Sequence, residues 1–335
     1  MSGLEKPKKG FVLGKFMPPH AGHVHLCDFA RHACERLSIL VCSLEGDPIP
    51  GERRWRWMQE LFPDCEVLWC AEPLPQAPND HPDFWTIWRE VVTRYAGVPD
   101  VVFASEAYGV QLAAEVGARF MPVDPARRVV PVSGTAVRSD PFANWRFIPS
   151  PVRPWFVKRV CLFGPESTGK ATLAGALGRR FSTAVAWEYA RTWAEIFDAN
   201  INAAVLERIT LGQLAAAEAA KRQARCILIE DTDPVLTAVW SDMLLGARPP
   251  WLEAYDDYAD LYLLCDIDVP WVDDGMRYFP DLENRRRFFD ACRAELERRR
   301  LPYVRIHGSP GEREASAINA VLAAFPGLGP PDEQE

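Results

Sequence analysis

The chain has 335 residues, of which 48% are hydrophobic, and a formal net charge of −8 at pH 7. This length predicts about two domains, each large enough to bury its own hydrophobic core. The acidic balance, with no block of basic residues, argues against a nucleic-acid-binding surface.

The cysteines and the chain start indicate the cellular setting. The nine cysteines are scattered, mostly inside apolar runs, and no CxxC pair occurs. This pattern is typical of buried, reduced thiols, and a zinc site is not expected. The polar first ten residues do not resemble a signal peptide, and no apolar run approaches the roughly 18 residues of a membrane span. We therefore expect a cytoplasmic protein without a membrane partner; whether it forms a homo-oligomer is left open.

The N-terminal half alternates predicted strands with predicted helices. A short strand over Gly10 to Phe16 runs into a loop and a helix. Further strands are predicted over 37–42, 66–70, 101–104 and 119–123, with helices over 83–95 and 107–116. This alternation predicts parallel strands joined by crossover helices, as in a Rossmann-like sheet.

Two short motifs in this half suit phosphate chemistry. His20 and His23, three residues apart at a predicted helix start, can place both rings on one side of it. Two imidazoles beside helix N–H groups suit a phosphate that gains charge during reaction, although such a pair also occurs on ordinary surfaces. After a further predicted strand, Ser133 or Thr135 can cap a helix. Arg138, one turn into that helix, can form a fork on phosphate oxygens.

The C-terminal half begins with a phosphate cradle. After a stiff, proline-rich connector over 147–155, an apolar strand, Val160 to Phe163, leads into the loop Gly164 to Lys170 and then a helical pattern. In a Gly-x4-Gly-Lys loop between strand and helix, backbone N–H groups point at phosphate oxygens. Lys170 can reach the outer phosphates.

This loop departs from the usual pattern at one position. Most such loops place Ser or Thr directly after the lysine, where the hydroxyl binds Mg²⁺, but this chain has Ala171. Thr172 comes one position later, about 100° around the helix, and cannot simply substitute. Ser167 and Thr168 are not expected to restore the geometry fully. Either other groups and water complete the Mg²⁺ shell, or this half is a weak kinase.

Acidic residues follow two later strands. Asp231, after an apolar strand from 226, fits a Walker B acid that faces Mg²⁺. Glu188, at the end of a strand over 184–187, is the predicted base for a substrate hydroxyl; an acid at a helix N-terminus is the alternative interpretation. Strands over 260–265 and 303–306 and helices over 206–225 and 312–324 complete this half. The last ten residues are predicted to be a disordered tail.

Several segments together resemble one family. GKFMPPHAGH is similar to the (H/T)xGH box of nucleotidyltransferases, and VSGTAVR to their SxTxxR box. Together with five further segments, these two boxes resemble bifunctional NadR-type proteins over roughly residues 10–325. The five segments are DPIPGERRW, SEAYG, SDPF, GPESTGK and WEYAR. That family joins a nicotinamide mononucleotide (NMN) adenylyltransferase to a ribosylnicotinamide kinase. Enteric members carry an N-terminal helix-turn-helix; only nine residues precede Gly10, so DNA binding is not expected.

The resemblance implies an α/β fold with two parallel-sheet domains. We expect a Rossmann-like nucleotidyltransferase domain over 1–152, a P-loop kinase domain over 153–325 and a disordered tail over 326–335. The implied reactions are ATP plus NMN giving NAD and pyrophosphate, and ATP plus ribosylnicotinamide giving ADP and NMN. The implied partners are therefore the small molecules ATP, NMN, NAD and ribosylnicotinamide, with Mg²⁺ as cofactor and ATP as co-substrate.

The resemblance also implies site residues in each half. In the N-terminal half these are catalytic His20, His23, Lys15 and Arg138, and nucleotide-binding Gly14, Phe16, Ser133 and Thr135. Trp85 and Trp88 are candidates to stack on nicotinamide, with plain burial of a helix face as an equal alternative. In the C-terminal half the implied catalytic residues are Lys170, Glu188 and Asp231, and Asp231 is also the implied metal ligand. The implied nucleotide-binding residues are Gly164, Glu166, Ser167, Thr168, Gly169, Thr172 and Arg277. The predicted substrate contacts there are Tyr189, Asp233, Trp271 and Asp274, and Arg277 is assigned to a mobile lid.

Two other interpretations stay open at this point. Because Ala171 weakens the expected metal site, the P-loop half could bind or sense nucleotide without turnover. Because the phosphate motifs do not fix the base, the first half could be another adenylyl- or cytidylyltransferase. The sequence does not decide between amide and acid pyridine nucleotides or whether NMN is channelled.

Overall fold

The structure is a computed structural model that describes residues 5–197, 201–273 and 277–329. The contacts divide the chain into two compact units, Met1–Arg153 and Pro154–Glu335. Each unit is built on one five-stranded sheet whose neighbouring strands are parallel. In the part of the chain that the structure describes, no helix combines the length and hydrophobicity that crossing a bilayer requires.

The first unit alternates strands and helices in chain order. Its strands are β1 Lys9–Gly14, β2 Arg36–Cys42, β3 Glu66–Cys70, β4 Val101–Ala104 and β5 Arg119–Pro122; its helices are α1 Ala21–Ala33, α2 Gly51–Leu61, α3 Phe84–Ala96, α4 Tyr108–Val116 and α5 Gly134–Ser139, with a 3₁₀ turn at Trp145–Phe147. The strand order is β3-β2-β1-β4-β5. The order reverses between β1 and β4, and such a reversal opens a crevice at the carboxyl ends of the strands.

Both faces of this sheet are buried. Successive side chains point to opposite faces, so Val12, Ile39 and Phe103 join one core cluster. Their neighbours Phe11, Leu40 and Val102 join the other. Helices cover both faces, which explains why these strands are apolar runs rather than alternating patterns.

The second unit has the same layered construction. Its strands are β6 Lys158–Phe163, β7 Val185–Ala186, β8 Ile227–Glu230, β9 Leu261–Cys265 and β10 Tyr303–Ile306; its helices are α6 Lys170–Arg180, α7 Tyr189–Ala194, α8 Ala203–Lys221, α9 Pro234–Leu245, α10 Pro250–Glu253, α11 Leu282–Arg298 and α12 Pro310–Ala324, with a 3₁₀ turn at Arg153–Trp155. The strand order is β10-β9-β6-β8-β7, with β6 in the centre. The predicted fold class, two parallel α/β sheets, is confirmed.

The structure corrects two local predictions. The first strand stops at Gly14, because Phe16 adopts a left-handed backbone with φ of 47°. No further strand lies between β5 and Ser133, a segment that the structure describes throughout: the carboxylate of Asp124 accepts three backbone N–H bonds and folds this segment into a loop. The connector over 147–155 includes short 3₁₀ turns. Of the predicted tail, 330–335 lie outside the described residues.

Candidate functional site

A cavity of about 830 Å³ lies in the first unit, where β1 and the loops after it meet α5. It brings together all ten site residues predicted for this half: Gly14, Lys15, Phe16, His20, His23, Trp85, Trp88, Ser133, Thr135 and Arg138. These residues come from three separate stretches of sequence. Their shared cavity therefore follows from the fold, and their individual roles stay predictions.

The two histidines are fixed at the start of α1. Nδ1 of His20 accepts the Gly22 N–H at 3.1 Å, and Nδ1 of His23 accepts the His20 N–H at 3.3 Å. The two rings stack with 3.7 Å between their centroids. Because Nδ1 is an acceptor in both, each neutral ring carries its proton on Nε2. His23 also hydrogen-bonds to the Pro18 backbone. His20 therefore offers an N–H donor beside a helix N-terminus, which suits an anion.

The surroundings keep both imidazoles neutral. Burial lowers the pKa of His20 to about 4, and the charge of Arg127 acts in the same direction. Burial lowers the pKa of His23 well below its usual value, and His20 and Arg127 add to this effect. At pH 7 the rings therefore act as hydrogen-bond donors without a full charge of their own.

Arg138 ties α5 to the histidine loop. Ser133 caps α5 by accepting the Ala136 N–H at 3.1 Å. The Arg138 guanidinium donates to the Met17 carbonyl and to the Thr135 hydroxyl. A Cβ on Gly134 would lie 2.7 Å from the Met17 oxygen, so only glycine permits this close approach. The two phosphate motifs are thus packed directly against each other.

The two tryptophans differ in their surroundings. Trp88 is 7% exposed, belongs to the core and donates its indole N–H to the Pro75 carbonyl at 3.1 Å. Trp85 is partly buried at the edge of the same cluster, with its ring against Phe84. Trp85 is therefore the better candidate for stacking on a planar ligand, whereas Trp88 packs in the core near Phe84.

Sequence reasoning missed two arginines in this unit. Arg127 lines the cavity, and its charge acts on both histidines. Arg54 is fully buried, pairs with Asp47 at 2.6 Å and donates to the carbonyls of Lys15 and Cys42. Arg54 thus holds the backbone that presents Lys15. Neither residue stands out in the sequence, since each adjoins another arginine that is exposed in the structure.

In the second unit, the loop Gly164–Lys170 connects β6 to α6. Gly164 and Gly169 have φ of 128° and 80°, which favour glycine. A Cβ on Gly164 would lie 2.7 Å from the Cys265 carbonyl oxygen. The Lys170 ammonium donates to the Gly164 and Pro165 carbonyls at 3.0 and 2.8 Å, and the buried Thr168 hydroxyl donates to Pro165 at 2.8 Å.

The segment predicted as a lid contacts this loop. The Glu166 carboxylate accepts the backbone N–H groups of Tyr278 and Phe279 at 2.8 and 2.6 Å. The Ser167 hydroxyl oxygen accepts the Arg277 guanidinium at 2.6 Å. Burial raises the pKa of Glu166, and Trp271 lies beside it. Arg277 is therefore held at the loop, whereas Asp274 lies outside the described residues.

Asp231 follows β8 and is 2% exposed. Its Oδ1 has no hydrogen-bond partner among the described residues. Burial raises the pKa of Asp231 to about 7; Lys170 opposes this shift and Glu188 adds to it. A buried carboxylate beside the loop lysine fits Mg²⁺, which typically uses one or two carboxylates together with phosphate oxygens. The described residues contain no cluster of three or more potential ligands, so the nucleotide would supply the rest.

A second cavity, of about 130 Å³, adjoins this loop. Glu166, Glu188 and Arg277 line it together with apolar and aromatic side chains, including Trp193, Trp240 and Tyr278. Glu188 precedes α7 and pairs with Arg191 at 3.1 Å. The cavity therefore combines charged groups at one wall with rings that could hold a planar ligand.

Several predicted residues are not among those that line this cavity. Asp233 is buried, caps α9 through the Leu236 N–H and accepts the Tyr262 hydroxyl at 2.6 Å. Tyr189 donates its backbone N–H to Gln213, and its ring packs against α8. Thr172 is exposed on α6. The carboxylate of Asp233 is thus already hydrogen-bonded within the fold, which gives it a structural role as an alternative to the predicted substrate contact.

Comparisons with known proteins agree with the motifs. A family model described as an AAA domain matches residues 159–313. The trifunctional NAD biosynthesis/regulator protein NadR of Escherichia coli (strain K12) is 29% identical over 334 residues, covering 91% of this chain and 81% of that protein. NadR of Salmonella typhimurium (strain LT2) is 28% identical with the same coverage. A solved NadR structure in complex with NR matches all of both chains, with TM-score 0.78 and 23% identity.

The predicted resemblance to NadR-type proteins is therefore confirmed. The sequence similarity extends over both units, and the structural likeness shows that the fold is shared. The ligands and reactions of NadR proteins are known for those proteins. Assigning them to this chain depends on the two cavities.

Proposed function

We propose that this chain, which resembles NadR proteins across both of its units, is a two-activity enzyme of NAD biosynthesis. The first unit transfers the adenylyl group of ATP to NMN, and the second phosphorylates ribosylnicotinamide to NMN. The observation that carries this proposal is that all ten residues predicted for the first site line one cavity. In the second unit, Lys170, Asp231 and Glu188 interact electrostatically beside the P-loop.

In the first reaction, the NMN phosphate attacks the α-phosphorus of ATP and pyrophosphate leaves. No covalent enzyme intermediate is needed, so positioning and charge stabilisation provide the rate. The Nε2–H groups of His20 and His23 donate to the ATP phosphates, while Lys15 and Arg138 hold the oxygens of the leaving pyrophosphate. Arg127 adds a further positive charge at the same wall. Mg²⁺, when bound, would neutralise charge on the ATP phosphates.

In the second reaction, the hydroxyl of ribosylnicotinamide attacks the γ-phosphorus of ATP. Lys170 leaves the loop carbonyls and binds the outer phosphates. Asp231 would hold Mg²⁺, which would supply charge neutralisation. Glu188 accepts the hydroxyl proton. Arg277, already at the loop, brings a second cation to the transferred group. The aromatic wall of the cavity suits the pyridine ring.

One observation favours a second candidate function for the P-loop unit. Ala171 provides no hydroxyl for Mg²⁺, and Thr172, one position later, is exposed. A unit that binds ATP without turnover would act as a nucleotide sensor. The two functions differ in one product, because only a kinase converts ribosylnicotinamide to NMN.

A single incubation tests the whole proposal. The full chain is mixed with ATP, Mg²⁺ and ribosylnicotinamide, and NMN and NAD are followed separately over time. We expect NMN to form first and NAD to follow. NAD formation from added NMN without any NMN from ribosylnicotinamide would favour the sensor. Activity with nicotinate mononucleotide or pantetheine phosphate in preference to NMN would contradict the proposed first reaction.

Replacing Asp231 with asparagine should stabilise the ligand-free protein at alkaline pH while removing kinase activity. The pKa of Asp231 is raised from 3.8 to about 7 in the folded state. The folded state therefore holds the proton more tightly than the unfolded chain, and stability falls as pH rises from about 4 through 7. Melting temperatures without nucleotide should rise more for the variant at pH 8 than at pH 5. Equal shifts at both pH values, or a similar pattern in the exposed control Asp290→Asn, would contradict the assignment.

Replacing Ala171 with serine should strengthen the use of Mg²⁺ by the second unit. Serine restores a hydroxyl directly after Lys170, where P-loops place their metal-binding oxygen. We expect a lower half-saturating Mg²⁺ concentration for NMN formation, measured with ATP in excess. Thr172→Ala is the companion variant, and a loss of activity there would show that Thr172 supplies the hydroxyl instead.

A further inference from the structure

Two cysteines end neighbouring strands directly opposite each other. Cys42 and Cys70 are register partners at the last position of β2 and β3. Paired strands place such Cα atoms about 4.8 Å apart, within the roughly 4.4–6.8 Å that disulfides span. Both side chains join the same core cluster, and each thiol shifts the pKa of the other. The geometry therefore needs only a small adjustment to form a disulfide.

The pair also lies at the wall of the first cavity. Cys42 lines that cavity and is 9% exposed, whereas Cys70 is fully buried behind it. A small molecule that enters the cavity can therefore reach the Cys42 sulfur, and Cys70 is its register partner on β3. The remaining seven cysteines do not line this cavity.

The surroundings favour thiolate chemistry at this pair. The hydrogen bond from Cys42 lowers the pKa of Cys70 to about 6, with further help from the Glu72 N–H and the Tyr95 hydroxyl. Lys15 and Arg54 place positive charge near Cys42, although its bond to Cys70 and its burial raise the pKa of Cys42. At rest the negative charge of this pair therefore lies on Cys70, and transfer of the shared proton to Cys70 produces the Cys42 thiolate, the form that attacks oxidants.

We propose that Cys42 and Cys70 form an oxidisable dithiol site that hydrogen peroxide converts to a disulfide from the cavity side. The shared proton moves to Cys70, and the Cys42 thiolate at the cavity wall attacks one peroxide oxygen; the O–O bond breaks, and the released hydroxide takes the proton of Cys70 to become water. The Cys70 thiolate then attacks the Cys42 sulfenic acid, the S–S bond forms, the S–O bond breaks, and a second water leaves. Two thiols are oxidised by two electrons, and one peroxide is reduced to two waters.

The disulfide would act on the first site through the backbone. The Cys42 carbonyl accepts a bond from the buried Arg54 guanidinium, which also donates to the Lys15 carbonyl. A bond that draws Cys42 toward β3 therefore displaces a group that fixes the Lys15 loop. The expected consequence, which depends on the proposed function, is a several-fold loss of NAD formation with NMN formation by the second unit unchanged.

Mass spectrometry tests the site independently of any activity. The reduced full chain is treated with hydrogen peroxide, alkylated and mapped by peptides. We expect a Cys42–Cys70 cross-link that dithiothreitol reverses and that saturating NAD slows. Cys70→Ala should lack it, and Cys65→Ala, which removes the one partly exposed thiol among the nine, should keep it. Oxidation of Cys65 with no Cys42–Cys70 link would overturn the proposal.

Activity assays then test the coupling. The ratio of oxidised to reduced rates is measured for NAD formation and for NMN formation in each variant. The ratio for NAD formation should fall in the parent chain and in Cys65→Ala and recover with dithiothreitol, but should stay near one in Cys70→Ala. A mapped disulfide with unchanged NAD formation would overturn the coupling. A reduced chain that makes no NAD would count against the proposed function, while the peptide map still decides the site.

Discussion

Replacing His20 with alanine should lower NAD formation from ATP and NMN by about 10²–10³-fold, the usual effect of removing one transition-state donor. The Nε2–H of His20 faces the cavity because its Nδ1 accepts the Gly22 N–H. Phosphorylation of ribosylnicotinamide should be unchanged, since Lys170 and Asp231 lie in the other unit. Both rates are measured on the same preparation of the full chain.

Two further variants separate chemistry from helix capping. His20→Asn keeps a capping acceptor, which is among the best at that position, but lacks the imidazole donor; it should lose activity like His20→Ala. His32→Ala removes an exposed histidine from the last turn of the same helix and should keep full activity. A loss of both reactions in His20→Asn would contradict the assignment of two separate sites.

Replacing Lys170 with alanine should lower NMN formation from ribosylnicotinamide by at least about 10²-fold, because the proposed role of this lysine is to bind the outer phosphates of ATP. NAD formation from added NMN should be unchanged. The measurement is the initial rate of each product with saturating ATP and Mg²⁺. The result also separates kinase from sensor, since a sensor has no NMN formation to lose.

A matched lysine in the same unit controls for stability. Lys158, in β6, pairs with Asp260 at the surface, and Lys158→Ala should leave both rates intact. Lys170→Met keeps the aliphatic length of the side chain and should behave like Lys170→Ala. Retention of NMN formation in both Lys170 variants would rule out the proposed role of the loop lysine.

The sequence predicted most of the strands because they are short apolar runs between turn residues. The predicted ranges 66–70, 101–104 and 303–306 coincide with β3, β4 and β10. Helix α9 was missed because Pro234–Leu245 is apolar on nearly every face, so no 3.6-residue pattern marks it. Tertiary burial, not local periodicity, decides the structure of that segment.

The candidate sites were predictable only where a motif carries the chemistry. The order of the two phosphate motifs correctly indicated residues that line one cavity. Arg54 and Arg127 were not predicted, because two adjacent arginines are typical of an exposed surface. Only the fold shows that Arg54 is buried and that Arg127 lines the cavity. The neutrality of His20 and His23 likewise depends on burial, which no spacing of residues encodes.

The resting position of Lys170 has a consequence for nucleotide exchange. Its ammonium is already satisfied by two carbonyl oxygens of its own loop, so an arriving phosphate replaces existing bonds rather than meeting an unpaired cation. The free energy gained is the difference between two sets of hydrogen bonds, which is smaller than the contribution of the new bonds alone. In the proposed kinase reaction the exchange is reversed when ADP leaves, because the two carbonyls accept the Lys170 ammonium again. This exchange favours rapid product release over tight retention.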